Sequence, residues 1–245
     1  MTFARAIRRL ALGFVLVGLT LAGHQAPAGA AGTAFNVDTA EVSDPGNCKV
    51  EGWTSHASNR DQVTTTNPSC VAGLATPTEI GLQMQRARSD DEWSTALTLK
   101  AKAKLLPTAI GSFGWAAVTA VTYDTTAREV SAVYAYIPGT LRLSETVRIN
   151  VSGGWVFDKP TDRHLGTYGL GLDWRFTETL TLTVETFGQA GASTDNPWDT
   201  RARFQTGVRY RPIDRLSFDL IYGRNNNGEN ADWFTLGTTV RFPAQ

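Results

Sequence analysis

The chain has 245 residues, with 23 Lys+Arg against 23 Asp+Glu, three His and two Cys. Balanced charge excludes the simplest nucleic-acid role, which needs a basic surplus to neutralise phosphates, and so few His and Cys make a multi-ligand zinc centre hard to assemble. Apolar content of 42% suffices for a folded protein, and the 32 threonines, strand-favouring residues with one small polar face, lean the composition towards all-β.

Arg5, Arg8 and Arg9 precede an apolar run from Leu10 to Gly23, and Ala28-Gly29-Ala30 follows. A basic head, a short hydrophobic stretch and a small-x-small site read as a secretory signal peptide over residues 1–30, cut after Ala30. Residues 31–46 then read as a periplasmic tail, 47–242 as the folded unit and 243–245 as a short C-terminal extension. Without the three leader arginines, 20 bases face 23 acids, a net charge of −3. No later stretch is apolar for long enough to form a transmembrane helix. Export favours a disulfide between Cys48 and Cys70. Placed symmetrically about residue 59, they would oppose each other across a hairpin turning near Ser58-Asn59-Arg60; two free buried thiols are the alternative.

The predicted strands, in chain order, are 48–57, 62–72, 79–88, 93–105, 113–123, 129–138, 143–155, 164–176, 179–189, 200–211, 215–224 and 231–242. Pro68 interrupts the ladder that the second would join. In most of the others, side chains alternate between an apolar and a polar face, as strand geometry requires. Leu97, Leu99, Ala101, Ala103 and Leu105 alternate with Lys100, Lys102 and Lys104; Ala202, Phe204, Thr206, Val208 and Tyr210 alternate with Arg201, Arg203, Arg209 and Arg211.

Tight connections at 176–179 and 211–215 contrast with longer polar ones at 158–163, 189–199 and 224–230. That asymmetry, with aromatic residues (Tyr136, Trp174, Phe176, Tyr210, Phe242) towards the strand ends that would meet the periplasm, predicts an all-β transmembrane antiparallel β-barrel of about twelve strands, ten to fourteen being compatible, in the outer membrane. The last strand, with Thr235, Gly237, Val240 and Phe242, looks like the terminal insertion signal read by the barrel-assembly machinery, although Pro243-Ala244-Gln245 follow it. A soluble periplasmic sandwich or lipocalin-like barrel is the alternative.

With the apolar face in lipid, the other face lines the lumen. Inward bases are then Lys100, Lys102, Lys104, Arg148, Arg175, Arg201, Arg203, Arg209, Arg211 and Arg241; inward acids are Glu79, Asp173, Glu185 and Asp219. Such an excess inside a chain of net negative charge predicts an anion-attracting field. The competing reading pairs these residues into a network that fills the interior.

Pro45-Gly46-Asn47-Cys48-Lys49-Val50-Glu51-Gly52-Trp53, Thr78-Glu79-Ile80-Gly81-Leu82 and the closing segment 233–242 resemble proteobacterial outer-membrane barrels of the phenol-degradation "MetA-pathway" transporter-like type. The resemblance implies a barrel of this size with a transport role and transfers no catalytic residue. The expected function is a channel or transporter for small anionic or aromatic-acid solutes. The runner-up is a closed structural barrel, and an outer-membrane hydrolase using His56, His164 or Asp162 comes third. Expected partners are outer-membrane lipid and a small solute, with no nucleic acid. Neither a cofactor nor a metal is expected; the oxygen-rich run 224–230 lacks EF-hand spacing.

Overall fold

A computed structural model describes residues 34–191, 202–226 and 231–243. The sequence expectations for the signal peptide, for Arg201 and for residues 244–245 lie outside the described residues.

Twelve strands run in chain order: β1 (Asn47–Ala57), β2 (Gln62–Gly73), β3 (Pro77–Ser89), β4 (Glu92–Leu106), β5 (Phe113–Asp124), β6 (Glu129–Arg142), β7 (Val147–Asp158), β8 (Arg163–Arg175), β9 (Leu180–Ala190), β10 (Arg203–Ile213), β11 (Leu216–Asn225) and β12 (Asp232–Pro243). Each pairs antiparallel with its neighbours in sequence. β1 closes on β12 from Asn47 opposite Pro243 to Ala57 opposite Trp233. Closure leaves no unpaired sheet edge, the condition under which strands can cross hydrocarbon.

Pro68 is absorbed rather than disruptive. The β2–β3 ladder passes from Thr66–Met84 to Ser69–Gly81 with no pairing for Asn67 or Pro68, while β2 stays registered on β1 across the gap. That register puts Cys48 directly opposite Cys70, and the two form a disulfide across the first hairpin.

The outer face carries the apolar alternates. Leu99 is 58% exposed and Leu236 60%, in a band with Ile80, Leu82, Leu170, Leu172 and Leu220. Aromatic side chains border this band at both ends. Trp174, Phe176, Tyr210, Phe242 and the stacked pair Phe113–Trp115 lie at the end holding the chain termini of the barrel. Trp93, Trp155 and the Tyr222–Phe234 pair lie at the far end. Exposed leucines in the middle with rings at both boundaries are what a bilayer-spanning barrel presents to lipid.

Two expectations need correction. Tyr136 does not join the outer aromatic belt, because it falls on the inward phase of β6, opposite Val118, where its hydroxyl finds a polar partner. The contrast in connection length is also smaller than the sequence suggested. At the far end, residues 58–61, 90–91, 125–128 and 159–162 are as short as the turns at the terminal end, so the long connection 191–202 carries most of the asymmetry.

The structure also places residues 34–46, read above as a periplasmic tail, inside the barrel. Phe35, Val37, Thr39, Ala40 and Val42 are each 5% exposed or less. The segment enters at the terminal end, where Gly46 N–H donates to the Val71 carbonyl, and rises to mid-barrel. It joins no strand ladder. A twelve-stranded barrel is wider than its wall side chains can fill, and this segment takes up part of the remaining space.

Candidate functional site

The lumen is built by strand alternation. Because Leu97, Leu99 and Ala101 face outward on β4, Lys100 and Lys102 must face inward, and the same parity aims Arg148 on β7, Asp173 and Arg175 on β8, and Glu185 on β9 into the interior. Arg203, Arg209 and Arg211 share one phase of β10, Asp219 lies on the inward phase of β11, and Thr235, Gly237 and Arg241 on that of β12. Val240 and Phe242 take the outward phase.

Three clusters organise these charges around the internal segment. In the first, Lys100 Nζ donates to Asp38 Oδ2 at 2.8 Å and Lys102 Nζ to Asp38 Oδ1 at 2.7 Å, while the Tyr136 hydroxyl donates to Oδ2 at 3.0 Å. Burial alone would raise the Asp38 carboxyl, yet the two ammonium groups hold it well below the usual carboxylate range. Asp38 therefore sits in its site as an anion.

The second cluster centres on Arg148, which donates from Nη1 to Glu41 Oε2 and from Nε to Asp173 Oδ2, both at 2.6 Å. Asp173 also accepts from Asn150 Nδ2 at 2.8 Å and from the Thr183 hydroxyl at 2.6 Å. Thr140 donates to Asn150 and accepts the Ala40 backbone N–H at 2.9 Å. In the third cluster, Glu185, 2% exposed, accepts the Asn36 N–H at 2.9 Å and Gln205 Nε2 at 2.7 Å. Nearby, Arg209 forms a two-pronged pair with Asp219 at 2.7 and 2.9 Å and lies over the Phe35 ring.

Sequence reasoning missed Lys49 and Glu51, which join this interior through β1. Lys49 lies 3.0 Å from Glu79 and 3.4 Å from Glu51, and Asn67 donates to Glu51. The one-residue alternation Lys49-x-Glu51 was the available signal.

Towards the terminal mouth the balance changes. Arg142, Arg148, Arg175, Arg209, Arg211 and Arg241 converge on a small cavity of about 50 Å³. Among the described residues, no carboxylate lies within ion-pair distance of Arg175, Arg211 or Arg241; Arg175 donates to the Glu145 carbonyl and Arg241 to the Ser217 hydroxyl. A larger cavity, about 460 Å³, opens beside it between the segment at Ala40–Asp44 and the walls bearing Lys49, Lys104, Arg211 and Arg241. Glu41, Asp44, Glu79 and Asp214 line this vestibule as well, and where Lys104, Arg211 and Arg241 face it their cationic groups suit carboxylate or phosphate oxygens.

Among the described residues, His56 and His164 are not brought together with each other or with a hydrogen-bonded nucleophile. His56 and His164 stand on non-adjacent strands, and His164 lies against Trp155 and Phe157 on the outer face, accepting from Trp155 Nε1 at 3.1 Å. Among the described residues, no group of three or more His, Cys, Asp or Glu could hold a metal.

Closed circularity, an apolar outer band and a charged interior define the class: a twelve-stranded transmembrane antiparallel β-barrel of the outer-membrane type. Within that class the chain belongs to the family described as "Uncharacterised conserved protein UCP029691", whose model matches residues 18–242. No curated protein sequence matches it significantly.

Solved structures share the fold. The COG4313 outer membrane channel from Pseudomonas putida F1 superposes with a TM-score of 0.62 at 13% identity, covering 83% of this chain and 98% of that one. The KdgM porin gives 0.61 at 11% identity, covering 79% and 99%. The NanC porin gives 0.61 at 5% identity, covering 78% and 98%. At these identities the likeness is one of fold.

Proposed function

We propose that this protein is an outer-membrane channel for small anionic solutes, with aromatic and other organic acids as the class it admits. The observation that carries the reading is the cluster Arg175, Arg211 and Arg241, with no carboxylate in ion-pair reach, around the cavities at the terminal mouth. Cations without an ion-pair partner in a narrow mouth concentrate anions. Lys104 and Arg148 add cations at the same mouth, and Lys100 and Lys102 lie deeper along β4, where Asp38 of the internal segment pairs with them. The fold neighbours support a channel role, and the KdgM porin has also been solved in complex with disordered oligogalacturonate.

The reading includes export behind a cleaved leader, residence in the outer membrane, insertion through the last strand by the barrel-assembly machinery, and kinship with the phenol-degradation transporter-like barrels. Planar-bilayer recording of the purified protein in a chloride gradient tests it. Openings whose reversal potential favours chloride over potassium are expected. Cation-selective openings would overturn the anionic assignment.

A second reading has its own observation. Residues 34–46 fill the middle of the lumen, as expected of a closed structural barrel. Complete electrical silence, even with that segment removed, would decide for it.

A further inference from the structure

The wall around residues 34–46 is shaped to receive them. Gly169 and Gly171 on β8 lack side chains where Val37 lies: a Cβ at Gly169 would come within 2.9 Å of Val37 Cγ2, and one at Gly171 within 3.5 Å of Val37 Cβ. Gly237 makes the same allowance for Ala34, whose Cβ would be 3.3 Å away. The segment carries Asp38, Glu41 and Asp44 and no base. Its backbone is not stitched into the sheet. What holds it is mainly the set of contacts from Lys100, Lys102, Tyr136 and Arg148 to two carboxylates, together with the burial of Phe35 and Val37.

Lys100, Lys102 and Arg148 lie along the path that the channel reading gives to solute beyond the terminal mouth. The contacts that Lys100, Lys102, Tyr136 and Arg148 make to the carboxylates of Asp38 and Glu41 can be made equally to those of a dissolved acid. The two residues are three apart in sequence, so their backbones are at most about 10 Å apart. A flexible acid with two carboxylates at that spacing can satisfy both cationic clusters together, whereas a monocarboxylate satisfies one. The second contact is then made at high effective concentration.

We propose that residues 34–46 form a displaceable plug that occupies the channel's own anion site, and that extended organic acids bearing two or more carboxylates compete it out and open the lumen. The proposal rests on the channel reading and adds to it both a ligand class and a means of regulation.

Three variants of the full chain test it, each first shown to be folded by its heat-dependent gel migration. The pair Val37→Cys with Gly171→Cys places two sulfurs where the Cβ spacing suits a disulfide. Oxidised, this variant should stay closed in bilayers, and reductant should restore wild-type openings, with wild type plus reductant as the control. Asp38→Asn with Glu41→Gln should open at least tenfold more often than wild type. In Val37→Cys alone, suberate should raise the rate of labelling by a thiol reagent several-fold, while acetate at equal ionic strength leaves it unchanged.

A locked variant that conducts like wild type overturns the plug and leaves the channel reading standing. Labelling no faster in suberate than in acetate overturns the ligand class. Silence of wild type, of the double carboxylate variant and of a variant lacking residues 34–43 overturns the channel reading, and the plug with it.

Discussion

Lys102 Nζ lies 2.7 Å from Asp38 Oδ1, across 64 residues of sequence, with the two side chains only 5% and 12% exposed. Lys100 completes the arrangement from two residues away on the same strand. Two ammonium groups brought side by side into a poorly hydrated interior repel each other and lose solvation. A single carboxylate between them offsets both costs, so the pair on β4 and the acid on the internal segment are parts of one structure.

Removing the carboxylate should therefore cost far more than a surface ion pair. Breaking a buried pair by deleting one partner typically costs about 3–5 kcal/mol, because the remaining charge is left uncompensated. For Asp38→Asn the loss should fall on docking of residues 34–46 rather than on the barrel, whose closure is made by strand ladders. Amide hydrogen exchange should show protection lost over 34–42 and retained in β4 and β6. Loss spread evenly over the barrel would show that the segment is integral to the wall.

Docking should resist mild acid. The folded-state carboxyl of Asp38 is lowered below its ordinary value near 4, so its contribution is fully present above that ordinary value. It is lost only as pH falls through the lowered, folded value. Protection of residues 34–42 should not fall between pH 8 and about 4 and should decline below that. Release of the segment between pH 6 and 5 would contradict the assignment of Asp38 as the controlling group.

The Cys48–Cys70 disulfide closes a loop with a sequence separation of 22. The chain-entropy relation gives about 3 kcal/mol for such a loop. Cys48→Ser with Cys70→Ser should lower the urea midpoint accordingly and increase exchange first in β1 and β2. Closure through β1–β12 should keep the variant folded. An unchanged midpoint would mean that these hairpin strands are still paired in the unfolded reference state.

The barrel was legible because lipid imposes a strict rule: alternate residues must be apolar, and Leu97-x-Leu99 or Leu170-x-Leu172 states it openly. Strand limits consequently matched to within a few residues even where Pro68 weakened the pattern. The internal segment obeys no such rule. Phe35, Val37 and Thr39 alternate as a short buried strand would, yet the stretch has no partner nearby in sequence, and its acids read as an ordinary solvated tail. Its mid-barrel contacts reach across 62 residues, for Asp38 to Lys100, and 169, for Asn36 to Gln205. Local pattern carries no information at that range. Tyr136 was misassigned for a related reason: a tyrosine on a strand suits both a membrane boundary and a polar lumen, and only the register on β5 decides between them.

Selectivity should reside in the arginines that lack carboxylate partners. Arg211 on β10 and Arg241 on β12 both line the two cavities at the terminal mouth, with Arg175 beside the smaller one. Arg148 and Arg209, by contrast, are committed to Asp173, Glu41 and Asp219. Reversing Arg211 and Arg241 to Glu changes the mouth by four charges without leaving a buried acid unpaired, so folding should be retained. Reversing Arg209 would set a second carboxylate against Asp219 and confuse selectivity with instability. Fixed charges act strongly on ions within about 8 Å at physiological salt, and the mouth is narrow enough for both side chains to act together. In bilayers, the preference for chloride over potassium should fall or invert in Arg211→Glu with Arg241→Glu. The shift should shrink as salt is raised. Val208→Leu, a change on the lipid face of the same strand, should leave the reversal potential where it was. An unaltered preference in the double reversal would place the ion path elsewhere in the barrel and remove these arginines from it.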